Sequence, residues 1–324
     1  MKVIVTGGAG YIGSHTVQEL LRQGDEGRVL DNLSTGHRQA VPAEILREVD
    51  LRQGPAVLEC FREFRPEAVI HFAAHCYVGE SVRNPRKYFE DNLATALTVL
   101  GAMVDTGCPN FIFSSTCATY GDPRQAPMAE DHPQDPVNPY GETKLFIERI
   151  LRRYDAAYGL KSVPLRYFNA AGADPSGRLG ESHDPETHLI PLLARAVMDP
   201  AYTLTVFGND YPTPDGTCIR DYIHVLDLAS AHVLALEFLR RERRSDAFNL
   251  GTGSGFSVLE MIHRLEAIAG REVKWRPGPR REGDPPVLVA AAEKARTHLG
   301  WQCRHSSIES VLETAWRWHQ APLY

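Results

Sequence analysis

Tyr140-Gly141-Glu142-Thr143-Lys144 sets a phenol and an amine four residues apart, a spacing that brings both to one face of a helix. A tyrosine ordinarily keeps its proton until about pH 10, so a phenol that exchanges protons near neutrality needs positive charge beside it. Lys144 offers that charge, and a nicotinamide cation would add to it. A Y-x-x-x-K pair recurs by chance in many helices, and Pro139 just before it can mark a purely structural helix start. What changes its meaning is a glycine-rich turn about 130 residues upstream. In Thr6-Gly7-Gly8-Ala9-Gly10-Tyr11-Ile12-Gly13, Gly8, Gly10 and Gly13 satisfy G-x-G-x-x-G, and Gly7, Gly10 and Gly13 satisfy G-x-x-G-x-x-G. Side chains there would block the tight turn and the approach of backbone to a pyrophosphate, while the following helix offers that anion its free N–H groups. Asp31 comes about twenty residues later, where a carboxylate accepts from an adenosine ribose 2′-hydroxyl and repels the 2′-phosphate of NADP. The cofactor expected is therefore NAD. Ser114-Ser115-Thr116 follows the apolar run Phe111-Ile112-Phe113. Hydroxyls at that place lie where α/β sheets bind ligands, and one of them can share a proton with Tyr140, although such runs are also ordinary turn chemistry.

These groups need a frame, and the first half supplies one: short apolar runs alternate with longer amphipathic stretches, the pattern of βαβ units on a parallel sheet. Strands are predicted at Val3-Ile4-Val5, Arg28-Val29-Leu30, Ala68 to Phe72, Phe111 to Phe113 and Ser162 to Tyr167. Gly27 and Arg28 weaken the start of the second. Helices are predicted at Ser14–Arg22, Lys87–Val104 and Tyr140–Tyr158; Leu93, Ala96, Leu97 and Leu100 give the middle one its three- and four-residue period. After Phe168 the elements are shorter and mixed, broken by Gly/Pro/Asp-rich loops at 172–185 and 208–216. The fold expected is α/β: a doubly wound, Rossmann-type parallel sheet in residues 1–170, and a smaller C-terminal α/β substrate domain in 171–324. The first domain is left open to regaining a segment near 205–235. At 324 residues, two domains are the reasonable prior.

Composition narrows the class. A net charge of -6 argues against a nucleic-acid partner, since neutralising phosphates takes clustered Lys and Arg. The one basic run, Arg240, Arg241, Arg243 and Arg244, reads as the solvated end of a helix over Ser230–Leu239. Six scattered cysteines without a C-x-x-C pair read as reduced thiols. No secretory leader and no apolar run of about 18 residues appears. A cytoplasmic protein without membrane attachment is expected. His71 and His75 have an H-x-x-x-H spacing, but His71 closes a strand and no Glu follows it, so no metal is expected.

Read together, these stretches resemble the extended short-chain dehydrogenase/reductase superfamily and, over nearly the whole chain, its UDP-glucose (UDP-galactose) 4-epimerase family. The segments are VTGGAGYIGSH, LDNLSTG, VIHFAA, VGESV, FIFSST, YGETK, LRYFNAAGADPSG, FGNDYPTPDGTCIRDYIHV, FNLGTG and RREGD. The FGNDYPTPDGT, IRDYIHV and REGD parts are the specific ones. The resemblance implies NAD-dependent epimerisation of a UDP-sugar at C4 through a 4-keto intermediate, in galactose metabolism. It makes Tyr140 the base, Lys144 its partner, which also holds the nicotinamide ribose, and Thr116 the hydroxyl helper. Gly7, Gly10, Tyr11, Ile12, Gly13, Asp31, Asn32, Asp50, Leu51, Phe72, Ala73, Ala74 and Phe168, with Tyr140 and Lys144, would hold NAD. Asn169, Phe207, Arg220, Arg281 and Asp284, with Thr116, would hold the nucleotide sugar; arginine forks suit its phosphates on physical grounds too. A homodimer paired through Lys87–Val104 and Tyr140–Tyr158 is implied as well.

The chain departs from the family pattern at three places. Cys76 stands where some members carry a cofactor-contacting lysine. Leu288 stands where bulk gates N-acetylated sugars, which leaves UDP-GlcNAc open as a substrate. Asp91 precedes Asn92 where relatives pair two asparagines, which leaves both as candidates for the NAD contact. The nearest rival, a nucleotide-sugar 4,6-dehydratase, needs an acidic pair after the strand's hydroxyl, where this chain has Cys117 and Ala118. A decarboxylase or reductase of the superfamily, or a non-catalytic NAD-binding regulator, are weaker rivals; such regulators usually lack the Tyr/Lys pair.

Overall fold

The computed structural model describes residues 1–281 and 284–324. In the first half the chain runs β1 (Lys2–Thr6), α1 (Tyr11–Arg22), β2 (Glu26–Asp31), β3 (Leu46–Glu48), α2 (Gly54–Phe64), β4 (Ala68–His71), α3 (Val78–Arg83), α4 (Pro85–Thr106), β5 (Asn110–Thr116), α5 (Pro139–Tyr158) and β6 (Lys161–Tyr167). It continues as β7 (Asn169–Ala171), α6 (Leu189–Met198), β8 (Leu204–Phe207), β9 (Ile219–Arg220), β10 (Tyr222–His224), α7 (Val225–Glu242) and β11 (Phe248–Leu250). The last elements are β12 (Phe256–Ser257), α8 (Val258–Ala269), β13 (Trp275–Gly278), β14 (Val287–Leu288), α9 (Glu293–Leu299) and α10 (Ile308–Gln320). Among the described residues no helix is long and apolar enough to cross a membrane.

Seven strands form one parallel sheet in the order β11-β6-β5-β4-β1-β2-β3. From β1 the chain moves outward through β2 and β3, then crosses back to β4 and continues the other way. That reversal opens a crevice at the carboxyl ends of β1 and β4, the place where such sheets take ligands. Both sheet faces are buried, which is why the strands read as near-continuous apolar runs. In β1, Val3 and Val5 join the core shared with α1 and α7, while Ile4 joins the core shared with α2, α4 and α5. The second strand starts earlier than its sequence suggests: Glu26 pairs with Lys2 at the ladder's end and Gly27 pairs with Val3 inside it.

The chain returns to this sheet through α7, whose helix packs against α1, and through β11, which pairs with β6. The basic run sits at the end of α7, Arg240 and Arg241 in its last turn. The remaining small sheets, β10-β7, β12-β9-β14 and β13-β8, pack with α6, α8 and α10 around a third core. Asp221, fully buried between β9 and β10, ties together the chain after β11 and the chain after β14: its carboxylate accepts from Thr252 N and Oγ1, Gly253 N and Ala290 N at 2.7–3.2 Å. The acidic residue of the IRDYIHV segment is thus a staple. Asp227, at the start of α7, does the same for the chain after α9, accepting from Arg304 N and His305 N.

Candidate active site

The turn from β1 into α1 is built by the absence of side chains. Gly7 has φ +71°, and a Cβ there would lie 2.6 Å from Ala73 N. A Cβ on Gly13 would lie 2.3 Å from the Gly7 carbonyl. On Gly10 it would meet only that same carbonyl, at 3.4 Å, so its other side is open. Gly10 is also the N-cap of α1 and no side chain caps the helix, which leaves first-turn amides for an anion. Asp31 ends β2, 7% exposed, and accepts from Ala9 N and Leu33 N, both at 2.9 Å. Burial raises its carboxyl above the ordinary value against those two amides. It therefore braces the glycine turn from the position where a ribose hydroxyl would be read. This cradle and its carboxylate fit a dinucleotide, with NAD the form that suits Asp31.

Around the cradle, Tyr11 donates to the Gly172 carbonyl at 2.6 Å and links the turn to the loop after β7. Ile12 and Phe72 pack against the α1–α7 core, Ala73 and Leu51 against the other. Ala74 is partly buried beside them in sequence. Asn32 is exposed and caps Ser34 N at 3.1 Å, and Asp50 is paired with Arg52 at 2.7 Å, which holds its carboxyl low. Asn92 is the buried member of the Asp91–Asn92 pair: it accepts from His75 N at 2.8 Å and donates to His75 O and Thr143 Oγ1. Asp91 instead binds Arg52 and the ring of His75. His71 lies in β4, its Nδ1 2.7 Å from Thr6 Oγ1, and burial lowers it to about 3. The two histidines of the H-x-x-x-H spacing therefore have separate partners.

Helix α5 carries the two residues that the sequence marks for proton chemistry and sets Lys144 against the end of β5. Asn138 caps it by accepting from Gly141 N at 2.9 Å, and Pro139 takes the first turn, where its missing N–H costs nothing. Tyr140 then sits in the first turn and Lys144 one turn deeper. Lys144 is 2% exposed; its ammonium donates to the Ser114 carbonyl at 2.8 Å and lies 4.9 Å from the Phe113 ring centre and 5.8 Å from that of Tyr140. Of the three hydroxyls ending β5, Ser114 is spent on Tyr167 Oη and Ser115 on Glu148, at 2.6 Å. Thr116 accepts from Ala118 N at 3.1 Å and is the one whose hydroxyl bears on the Tyr140 phenol.

The electrostatics correct one expectation. Burial raises the Tyr140 phenol well above its ordinary value, and the neighbouring thiols and Tyr167 add to the rise, with Thr116 opposing. The Lys144 ammonium, turned to the Ser114 carbonyl, does not reverse this, and burial lowers it to about 8. Within the protein alone, desolvation outweighs the lysine's help. Cys76 lies within electrostatic reach of both Tyr140 and Lys144, a neighbour the sequence marks only as a departure.

The residues expected at the nucleotide sugar lie on the second half's side. Asn169 donates to Asp221 O at 3.2 Å, at the start of β7. Phe168, Leu288, Cys117 and Tyr120 share one small apolar cluster beside Thr116 in the chain. Arg220, 8% exposed, forks onto the Asp284 carboxylate and the Ile219 carbonyl. The Arg281 guanidinium lies 4.3 Å over the Phe207 ring. Arg281 and Asp284 line a cleft of about 590 Å³ with Tyr211 and Arg280, which includes none of Tyr140, Lys144 or Thr116. So Arg220 and Asp284 engage each other here, where the sequence assigns both to ligand. Glu282 and Gly283 of the REGD segment lie outside the described residues.

A doubly wound sheet, an uncapped glycine turn at its switch point, a buried carboxylate at the end of β2 and a Tyr/Lys pair on α5 are the features of a nucleotide-dependent dehydrogenase type of α/β enzyme. The profile described as the NAD dependent epimerase/dehydratase family matches residues 3–251, and the chain belongs to that family. It is 48% identical over 321 residues to the UDP-glucose 4-epimerase of Lacticaseibacillus casei, covering 99% of this chain and 97% of that one. The solved structure of UDP-glucose 4-epimerase from Brucella ovis in complex with NAD superposes with a TM-score of 0.94 at 48% identity, covering 98% of each chain. That from Stenotrophomonas maltophila, with bound NAD and formylated UDP-arabinopyranose, gives 0.95 at 42% identity, covering 99% of this chain and 98% of that one.

Proposed function

We propose that this chain interconverts UDP-galactose and UDP-glucose by NAD-dependent epimerisation at C4. The observation that carries the reading is the meeting of Tyr140, Thr116 and Lys144 at the carboxyl end of β5, on the same sheet whose β1 leads into the glycine cradle, in a chain 48% identical along its length to a UDP-glucose 4-epimerase. NAD, when bound, supplies a reversible hydride acceptor, so the sugar passes through a 4-keto form and no net oxidation results. Tyr140 takes the proton of the sugar 4-hydroxyl and later gives it back. Thr116 hydrogen-bonds the same oxygen and holds it against the phenol. Lys144 fixes the β5 end through the Ser114 carbonyl and supplies the positive charge that favours the phenolate. Arg220 and Arg281 hold the two phosphates, which requires Arg220 to exchange Asp284 for the ligand. Firm grip on UDP with a loosely held sugar lets either face of C4 be presented to Tyr140.

The chain works as a homodimer in the cytoplasm, with residues 1–170 as the NAD domain and 171–324 as the nucleotide-sugar domain. Support for the dimer comes from α4 and α5, which pack together yet leave Leu97 and Phe146 43% and 39% exposed. Replacing both with Glu is expected to give monomers by light scattering; an unchanged mass would remove this interface. Support for the compartment comes from six free cysteines.

The test of the activity is to incubate purified protein with UDP-galactose, without added NAD, and to quantify UDP-glucose against Tyr140→Phe. Conversion that falls by about a hundredfold or more in the variant is expected. If neither added NAD nor UDP-GlcNAc as substrate restores turnover, the reading fails, and a 4-keto-6-deoxy product would identify a dehydratase instead.

A further inference from the structure

The loop between β7 and α6 carries Glu181, His183, Glu186 and His188, and the fold gathers all four into one knot. One ligand-capable atom from each lies within 4.8 Å of all the others. His188 Nδ1 is 3.0 Å from Glu181 Oε1 and 2.9 Å from Glu186 Oε1; His183 Nδ1 is 3.4 Å from Glu181 Oε1 and from Glu186 Oε2. Four ligands at the zinc–nitrogen and zinc–oxygen lengths of a tetrahedral site would sit about 3.3 Å apart. The four histidine–carboxylate edges, 2.9–3.4 Å, are near that length.

From this geometry we infer that Glu181, His183, Glu186 and His188 form a structural site for a divalent metal of the zinc class. Two imidazoles and two carboxylates suit zinc and its neighbours better than magnesium or calcium, which prefer all-oxygen sets. Two carboxylates also neutralise a dication, which a site with a buried Glu181, 6% exposed, requires.

The surroundings are arranged as metal ligands usually need. Glu186 Oε1 accepts from Thr187 N and His188 N, both at 2.7 Å, so its carboxylate plane is fixed and Oε2 is turned toward His183. Trp318 Nε1 donates to the Glu181 carbonyl at 2.9 Å and pins that residue's backbone. Such outer partners orient ligands and tune their affinity. Tyr77 supplies an independent sign: its ring packs 6.2 Å from both histidine rings, its phenol feels the Glu186 and Glu181 charges, and its buried hydroxyl has no partner among the described residues. His188, with 43% of its side chain exposed, leaves an entry path.

A metal here would lock the loop over the cofactor turn, because Tyr11 stands edge-on to His183 and donates to Gly172 at the loop's start. The site's carboxylates and His188 share Cys76 as an electrostatic neighbour with Lys144, and no step of the sugar chemistry is assigned to it. The alternative is that both histidines keep a proton and the four groups pair as ions without metal.

The experiment uses tag-free full-length protein, dialysed against chelator and then against Zn²⁺, with metal measured by mass spectrometry and Co²⁺ substitution read by visible absorption. The expected result is one equivalent of Zn²⁺ per chain surviving gel filtration, and Co²⁺ bands of a four-coordinate N/O site. His183→Asn/His188→Asn is expected to lose the equivalent. Glu186→Gln, the milder change, is expected to weaken it by more than the roughly ten- to hundredfold that outer-shell partners cost. Circular dichroism and retained NAD show that each variant is folded. Wild type holding no stoichiometric zinc, or variants holding as much as wild type, overturns the proposal.

Discussion

Replacing Lys144 with Met should make the nucleotide-free protein more stable while destroying its activity. The ammonium is 2% exposed, and burial lowers it from 10.5 to about 8. That drop corresponds to about 3 kcal/mol charged against the folded state. Met removes the cost but also the bond to the Ser114 carbonyl, about 1 kcal/mol, and the contact with the Phe113 ring, about 0.5–1 kcal/mol. The balance is a gain of about 1–2 kcal/mol at pH 7, or roughly 2–3 °C in melting temperature for a chain of this size. The sign with pH is fixed. Because the folded pKa lies below the unfolded one, the penalty is complete below about pH 8 and fades as pH rises toward 10.5. Wild type therefore recovers on the variant across that window. Thermal melts of nucleotide-free protein at pH 7 and pH 10, beside UDP-galactose turnover, measure all of this. A variant less stable at pH 7, or an advantage unchanged at pH 10, would refute the argument that this lysine is held against its own solvation for the sake of chemistry.

The pair Glu148–Arg166, with side chains 3% and 6% exposed, bridges α5 and β6 and also takes the Ser115 hydroxyl. Glu148→Gln leaves a buried guanidinium without its counter-charge and should cost about 3–5 kcal/mol, roughly 5–7 °C; Glu148→Leu/Arg166→Met should recover most of it, and a double variant as unstable as the single would refute this. Gly13→Ala drives a Cβ to 2.3 Å from the Gly7 carbonyl, so NAD carried through purification should fall by about tenfold or more, read from absorbance of the released nucleotide. Unchanged NAD content would mean the cradle does not set affinity.

The parallel sheet was legible because both of its faces are buried and its strands become uninterrupted apolar runs. Ile4 and Val3 face opposite cores, yet both had to be apolar. The edge strand β3 left no such trace, since only Leu46 of its three residues is buried. Helix α2 did carry Val57, Phe61 and Phe64 at helical spacing, but its buried stripe is short and begins at a Gly-Pro pair that reads as a loop. The second half was opaque for a different reason. Its strands of two to four residues are too short for a period to show, and polar staples such as Asp221 and Asp227 decide their placement. A staple is a relation between distant backbones, and nothing in its local sequence announces it.

The site divides along the same line. Gly7 and Gly13 are related by one turn and Tyr140 and Lys144 by one helical face, so local spacing was enough to group them. Which of Ser114, Ser115 and Thr116 faces the phenol depends on Tyr167 and Glu148, which arrive from β6 and α5; three adjacent hydroxyls look alike until those partners are in place. The histidines make the contrast sharpest. His71 and His75 have a spacing that suits a metal on a helix, but His71 is in a strand and the pair have separate partners. Glu181, His183, Glu186 and His188 lie in an irregular Gly/Pro-rich stretch where no period applies, and there the fold closes four donors into a knot. Ligand spacing in a sequence is informative only through the element that converts it to distance. In a loop that conversion is made by tertiary contacts, here by Trp318 from α10 and Tyr77 from the turn before α3.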